Sequence, residues 1–273
     1  MFFHRLFGFG VAIGLATGPA AAQDLDIFAP TPDNLRQYTE CMSLARSEPM
    51  RAVPQAERWM NKGGGLGARH CLAIATFEAG RYTRAADQLE AIARDMGEQR
   101  PGLRAELWAQ AGQAWIAAGQ ADKAALAQSR ALDLKKDDAD LWVDRALSYA
   151  TTNEWPRAVS DFDQALILRP NDVEILVLRS AAWRYAGNLA RSLADAQVAL
   201  KIAPDNTAAL LERGFTYSAR GDRAKAQADF TKVVKLVPPG SEAAKRAEAG
   251  LQGEQPVGLP AANGRPAAGG QKR

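Results

Sequence analysis

Two consecutive segments decide the fold: ADLWVDRALSYATTNEWPRAVSDFDQALILRPND (139–172) and VEILVLRSAAWRYAGNLARSLADAQVALKIAPDN (173–206). Each has 34 residues, and aligning them pairs a large apolar residue, a small residue and an aromatic residue in one with the same types in the other, for example Tyr149 with Trp183. The small residue follows the large one by four positions and the aromatic follows it by seven, which places all three on one face of a helix. The sequence therefore predicts a helical repeat.

The same period extends into the flanking sequence. The large residues are Trp108, Trp142, Leu176 and Leu210, the small ones are Gly112, Ala146, Ser180 and Gly214, and the aromatic ones are Trp115, Tyr149, Trp183 and Tyr217. A turn marked by glycine or asparagine follows each first helix, and a second helix rich in alanine follows the turn. Pro170, Pro204 and Pro238 end three of the second helices, because proline cannot continue the helical hydrogen-bond pattern.

This pattern resembles the tetratricopeptide repeat, a 34-residue helix-turn-helix unit. The resemblance implies an all-α fold, a right-handed α-solenoid, with four full repeats in 105–240. An irregular repeat is expected at 66–104, where Gly97–Arg104 forms a longer loop, and a weaker helical pair at 23–65. Residues 241–252 are expected to form a helix that caps the last repeat, and 253–273 a disordered tail.

The N-terminus has the composition of a signal peptide. An apolar run from Leu6 to Gly18 is followed by Ala20-Ala21-Ala22, so residues 1–22 are expected to be cleaved before Gln23. The alternative is an uncleaved anchor, but the run is shorter than the roughly 20 residues that span a bilayer. The sequence therefore predicts an exported chain, in the bacterial periplasm, without a transmembrane segment after processing.

Export affects the interpretation of the two cysteines, Cys41 and Cys71. In an oxidising compartment an even number of cysteines favours a disulfide, here between the first helical pair and the next. The alternative is that both are small buried residues that never meet.

Charged residues also recur at 34. Arginines lie on the first helices and aspartates on the second helices of three repeats: Arg145, Arg179 and Arg213, and Asp161, Asp195 and Asp229. We expect structural ion pairs, because the signs cancel repeat by repeat, whereas a charged ligand site needs an excess of one sign. The spacing leaves open whether the pairs form within or between repeats.

A partner-binding groove is the main functional expectation. In the tetratricopeptide fold the first helices line a concave surface, and the slots that face it are largely apolar here. The predicted groove residues are Ile74, Phe77, Val143, Leu147, Val177, Arg184, Tyr185, Leu211 and Phe215. The alternative is that some of them pack against neighbouring first helices and are not exposed.

Composition argues against several other functions. The net charge is +3 and is mixed along the chain, which does not favour nucleic-acid binding. With two histidines in the chain and no nucleotide-binding or nucleophile motif, we expect no enzyme, metal site or cofactor. The sequence predicts an envelope scaffold or adaptor that binds a protein or peptide. The alternative is a structural subunit that assembles, with itself or a larger machine, through its convex face or solenoid ends.

Overall fold

The computed structural model describes residues 28, 30–98 and 100–255. The predicted signal peptide (1–22) and most of the predicted tail (253–273) lie outside these residues. The described residues form thirteen α-helices and no strand, which confirms the all-α prediction. The chain divides between Lys136 and Asp137 into two compact units, here called the N-terminal and C-terminal units.

The described residues of the N-terminal unit form six helices that pack in sequence order. They are α1 (Pro32–Ser47), α2 (Pro49–Asn61), α3 (Gly65–Glu78), α4 (Tyr82–Asp95), α5 (Pro101–Ala117) and α6 (Ala121–Leu134). The longer loop expected at Gly97–Arg104 is wrong at its C-terminal end, because α5 already begins at Pro101. Proline is well suited to a first helical position, where no hydrogen bond from its nitrogen is needed.

The C-terminal unit contains three helical hairpins and a terminal helix. The first helices of the hairpins are α7 (Ala139–Thr151), α9 (Val173–Tyr185) and α11 (Thr207–Ala219). The second helices are α8 (Trp155–Leu168), α10 (Leu189–Ile202) and α12 (Arg223–Leu236), and the terminal helix is α13 (Glu242–Leu251). Each hairpin contacts the next through its second helix, and successive first helices α9, α11 and α13 also contact each other.

The small residue of each first helix is required by close packing within the hairpin. A Cβ on Gly214 would lie 2.6 Å from Cε1 of Phe230, and one on Gly112 would lie 2.8 Å from Cγ of Gln128. In the α9–α10 hairpin the small residue is Ser180, and the second helix carries a polar residue, Ser192. Ser180 donates a hydrogen bond to the Ser192 carbonyl at 2.8 Å. The buried hydroxyls of Ser180 and Ser192 are therefore hydrogen-bonded, as low-dielectric interiors require.

The turns and helix starts follow from local sequence. The turn residue of each hairpin has a positive φ, including Asn153 (61°) and Gly221 (84°), a conformation that glycine and asparagine adopt most readily. The side chains of Asp138, Asp172 and Asn206 accept backbone hydrogen bonds at the starts of α7, α9 and α11. These caps satisfy amide groups that have no partner within the helix.

The recurring Arg and Asp residues pair within each hairpin. Arg145, Arg179 and Arg213 each donate two hydrogen bonds, of 2.7 to 2.8 Å, to the aspartate sixteen residues later, respectively Asp161, Asp195 and Asp229. All three aspartates are buried. Hydrogen bonding to Asp229 raises the pKa of Arg213 above its ordinary value, so that cation stays charged. Arg179 also donates a hydrogen bond to Asp163 of the preceding hairpin at 2.7 Å. Arg179 therefore links two successive repeats.

A second set of cations covers the aromatic slot of each repeat. A lysine or arginine eight residues after the aromatic residue lies over its ring, at 3.9 to 5.4 Å from the ring centroid. These cations are Lys123, Arg157, Arg191 and Lys225, again 34 residues apart. Their contacts tie the start of each second helix to the aromatic residue of the first helix by cation–π attraction.

In the N-terminal unit, a disulfide joins Cys41 of α1 to Cys71 of α3, with 6.2 Å between the two Cα atoms. Both residues are buried. The bond ties the N-terminal helical pair to the next helix, as the cysteine count predicted. Over the described ranges, no helix is both long enough and apolar enough to cross a membrane.

Candidate functional site

The first helices α7, α9 and α11, together with α13, form what is here called the first-helix face of the C-terminal unit. The predicted groove residues lie on these helices, but most are buried. Val143, Val177, Leu211 and Phe215 are 1 to 3% exposed, and only Leu147 and Tyr185 are half-buried. The expectation of an exposed apolar surface at these slots is therefore wrong.

Packing between hairpins explains this burial. Val177 of α9 joins a single apolar cluster with Leu211 and Phe215 of α11 and with Phe230 of α12. These side chains fill the space between one hairpin and the next, and burying each contributes roughly 1.5 to 3 kcal/mol. Most of the predicted apolar residues are therefore not available to a partner, and the charged side chains of this face become the candidates for binding.

A charged cluster crosses three helices at one end of this face. Glu212 of α11 accepts hydrogen bonds from Arg184 of α9 through Nη2 at 2.9 Å and Nε at 3.2 Å. Its other oxygen accepts one from Nη2 of Arg246 of α13 at 3.2 Å. The Glu212 side chain is 0% exposed, that of Arg184 is 5% exposed and that of Arg246 is 28% exposed. The cluster has one carboxylate for two guanidinium groups, so its formal charge is +1.

Aromatic rings surround these guanidinium groups. Arg184 lies 4.3 Å from the Tyr185 ring centroid, and both arginines lie near the Phe215 ring. Tyr185 stacks on Trp155 with a centroid separation of 4.6 Å. Burial lowers the pKa of Arg184, but attraction to Glu212, together with its interactions with Tyr185, outweighs burial and raises that pKa above its ordinary value. The Arg184 cluster, meaning Arg184, Tyr185, Glu212, Phe215 and Arg246, is thus a fixed positive site.

An acidic recess of about 170 Å³ lies at the other end of α9, between that helix and α7. The charged residues that line it are Asp140, Arg169, Asp172 and Glu174, and Val143, Ile175 and Leu178 form the rest of its wall. Arg169 pairs with Asp140 at 2.6 Å, so three carboxylates face one cation. Ten residues of helix separate Glu174 from Arg184, or about 15 Å. The first-helix face therefore carries negative charge at one end of α9 and positive charge at the other.

The predicted groove residues of the N-terminal unit, Ile74 and Phe77, are also buried. On the same helix, α3, lies His70, which is 5% exposed and whose ring stacks with that of Tyr38. Its Nε2–H donates to Oε1 of Gln110 at 3.0 Å, so Nδ1 accepts from the Tyr38 hydroxyl at 2.8 Å. Burial lowers the pKa of His70 below 6.5, an effect only partly offset by the bond to Gln110. This is a neutral, hydrogen-bonded core histidine.

Within the parts of the chain that the structure describes, no three side chains of His, Cys, Asp or Glu are grouped as a metal site requires. The expectation that the chain uses no metal or cofactor stays a prediction.

Comparisons with known proteins identify the architecture. No family model matches the sequence, and no curated protein matches it. Among solved structures, the C-terminal part of a TPR repeat-containing protein from Cytophaga hutchinsonii is 14% identical, with a TM-score of 0.64, over 77% of this chain and 83% of that one. MamA from residue 41 onward, from Desulfovibrio magneticus RS-1, is 18% identical, with a TM-score of 0.56, over 63% of this chain and 94% of that one.

These likenesses, together with the hairpin packing, confirm the predicted fold. The chain has the tetratricopeptide type of architecture, an all-α solenoid of helical hairpins.

Proposed function

We propose that this protein is an interaction scaffold of the cell envelope that binds a segment of a partner protein on the first-helix face of its C-terminal unit. The observation that carries the proposal is the arrangement of charge on that face. An acidic recess and a positive cluster lie about 15 Å apart along α9, and both are fixed to helices whose apolar side chains are used in packing. Sites on rigid elements of this kind recognise partners with little reorganisation.

The charges define the partner that fits. A cationic side chain of the partner complements the recess at Asp140 and Glu174, where the Asp140 side chain is 58% exposed. The recess has the volume of several water molecules, so it admits the head of a lysine or arginine. An acidic side chain further along the same segment complements Arg246. Such complementarity determines specificity and the rate of association more than it adds affinity.

The envelope location rests on two features. The first is the apolar N-terminal run with its small-residue cleavage motif, and the second is the Cys41–Cys71 disulfide, which is typical of oxidising compartments. Expression of the full chain in a bacterial host, followed by fractionation and N-terminal sequencing, tests this part. We expect periplasmic protein that begins at Gln23; cytoplasmic protein that begins at Met1 would contradict it.

The binding proposal is tested by charge reversal of the recess. The change Asp140→Lys with Glu174→Lys alters two solvent-accessible helix-start residues, so circular dichroism should show an intact fold. Immobilised wild-type protein and this variant are compared for the proteins they retain from an envelope extract. A matched control, Glu40→Lys with Glu98→Lys, makes the same change in charge at exposed residues of the N-terminal unit.

We expect at least one protein that wild type and control retain and the recess variant loses. Equal retention by all three would contradict binding at the recess. The prediction that the chain is not an enzyme, and that it binds no nucleic acid, is unaffected by either result.

A further inference from the structure

An aromatic residue that precedes α1 is buried against two helices of the N-terminal unit. Phe28 is 6% exposed, and its ring stacks on that of His70 of α3 with a centroid separation of 4.8 Å and an interplanar angle of 23°. The ring is also nearly parallel to that of Tyr38 of α1, at 5.8 Å. The hydrogen bond between Tyr38 and His70 fixes these two rings relative to each other. Phe28 therefore occupies a built pocket.

The backbone of Phe28 also approaches α3 closely. A Cβ on Gly67 would overlap the carbonyl oxygen of Phe28 and would lie 3.1 Å from Cη2 of Trp59. Glycine is less favourable than alanine inside a helix, and this close approach explains its presence in α3. The aromatic pocket, meaning Tyr38, Gly67 and His70, thus leaves room for a ring and for the peptide backbone that carries it.

The aromatic pocket fits a ring and not a charge. His70 is neutral, and burial raises the pKa of Tyr38 above its ordinary value, so the Tyr38 hydroxyl stays protonated. Aromatic rings whose centroids are about 4.5 to 7 Å apart attract each other beyond the effect of burial alone. An aromatic side chain is consequently the occupant that this pocket favours.

The pocket lies on the side of α3 where the sequence predicted partner binding. His70, Ile74 and Phe77 follow one another at spacings of four and three residues, so they share one face of the helix. Phe28 covers the start of that face. The chain therefore places a side chain of its own where the predicted groove would receive one from a partner.

Phe28 is the anchor of the segment that carries it. Among the described residues that precede α1, Phe28 is buried, whereas Pro30 and Thr31 are exposed. Exposed residues contribute little burial, so the attachment of this segment depends on the Phe28 ring. Removal of the ring from the pocket would free the segment.

The disulfide keeps the pocket together when the ring is absent. Cys41 lies one helical turn after Tyr38 on α1, and Cys71 follows His70 directly on α3. The Cys41–Cys71 bond therefore joins the two helices close to the two rings. The walls of the pocket do not depend on Phe28 for their attachment to each other.

We propose that the aromatic pocket is a second binding site, for an aromatic side chain of a partner protein, and that Phe28 closes it when no partner is bound. Because Phe28 is tethered beside the pocket, its effective concentration there is high, and an incoming ring has to displace it. The site is in the N-terminal unit and the acidic recess is in the C-terminal unit. Failure of either proposal therefore leaves the other standing.

NMR of the full chain with a synthetic peptide tests the proposal. The peptide has the sequence of residues 23–31, with 4-fluorophenylalanine in place of the phenylalanine, so that its fluorine signal measures binding. The chain has two histidines, and the signal that His70→Gln removes belongs to His70. The ring current of a stacked ring shifts this signal, which therefore reports whether the pocket is occupied.

Phe28→Ala should remove the ring-current shift of His70 and open the pocket. We expect the peptide to restore the shift, and to bind Phe28→Ala with a dissociation constant at least about tenfold lower than that for wild type. The same peptide with alanine in place of its aromatic residue is the control and should not bind. If circular dichroism shows that Phe28→Ala loses helix, Phe28→Leu replaces it, because leucine keeps an apolar anchor and has no ring current.

A double variant tests the position of the site. Phe28→Ala with Gly67→Ala should not bind the peptide, because the added Cβ takes the space of the incoming backbone, while alanine favours the helix. Failure of the peptide to bind Phe28→Ala, or equal binding to wild type, would overturn the proposal. Binding that leaves the His70 signal unchanged, or that persists in the double variant, would also overturn it.

Discussion

Replacing Arg184 with methionine should be among the most destabilising single changes in the C-terminal unit. The change removes two hydrogen bonds that the Glu212 carboxylate accepts and leaves the one, of 3.2 Å, from Arg246. Glu212 is 0% exposed, so water cannot replace the lost partner. Breaking a buried ion pair on one side costs about 3 to 5 kcal/mol. Because Arg246 still compensates part of the charge, we expect the free energy of unfolding to fall by about 3 kcal/mol.

Two matched variants separate the buried charge from lost packing. Arg246→Met removes a single long hydrogen bond from a guanidinium that is partly exposed, and should cost about 1 kcal/mol. The double change Arg184→Met with Glu212→Met removes both charges of the pair, and replacing a buried pair by apolar residues of similar volume is often neutral. The double variant should therefore be more stable than Arg184→Met alone.

Urea unfolding, followed by both circular dichroism and tryptophan fluorescence, measures these differences. Two probes are needed because repeat proteins do not always unfold in one cooperative step. If Arg184→Met cost no more than Arg246→Met, or if the double variant were no more stable than the single one, the argument from a buried carboxylate would be refuted.

Three further predictions concern other parts of the chain. Double-mutant cycles by urea unfolding should give a coupling energy of about 1 to 3 kcal/mol between Arg179 and the buried Asp195. The coupling energy between Arg179 and the half-exposed Asp163 should be under about 1 kcal/mol, and equal couplings would contradict the prediction. His70 has a lowered pKa in the folded state, so its contribution to stability is present above pH 6.5 and is lost as the pH falls below that value. Urea midpoints of the wild type should therefore decrease below pH 6.5 more than those of His70→Gln, and parallel curves would refute the assignment. Replacing Cys41 and Cys71 with alanine should lower the unfolding free energy by about 3 to 4 kcal/mol, as expected for a closed loop of about 30 residues and measured by urea unfolding without reductant. Free thiols in denatured, unreduced wild-type protein would show that the disulfide is absent.

Periodicity made the hairpins predictable because each slot of the repeat has one packing role. A small residue is needed at Gly214, because the Phe230 ring packs directly against it. A side chain that accepts hydrogen bonds from backbone amides is needed at Asp172, where α9 begins. The ion pair of Arg179 was also visible as a recurrence, although its partner was not. Residues 16 and 18 positions away are equally compatible with the period, and only the three-dimensional packing decides between them.

Exposure on the first helices could not be predicted in the same way. The slot of Val177 or Leu211 fixes the direction of the side chain relative to its own hairpin, but burial depends on how closely the next hairpin approaches. The structure shows that this approach covers both residues. Most of the large apolar side chains that remain exposed in the described part of this unit, such as Ile167, are on the second helices.

Glu212 was missed for a different reason. It occurs once, since the equivalent positions in the three preceding repeats hold Gln110, Asp144 and Leu178, so the period gives no signal there. The cations that cover the aromatic slots could have been found, because Lys123 and its equivalents recur at 34 residues.

Site-specific photo-cross-linking in the cells that produce the protein tests the central claim most directly. A photoreactive amino acid replaces Tyr185, which is half-buried on the first-helix face, or, as the control, Ile202, which is exposed at the end of α10. The account predicts that the probe at Tyr185 joins the chain to a different protein and that the probe at Ile202 does not. Adducts with another protein from Ile202 but none from Tyr185 would contradict the assignment of the first-helix face as the partner-binding surface.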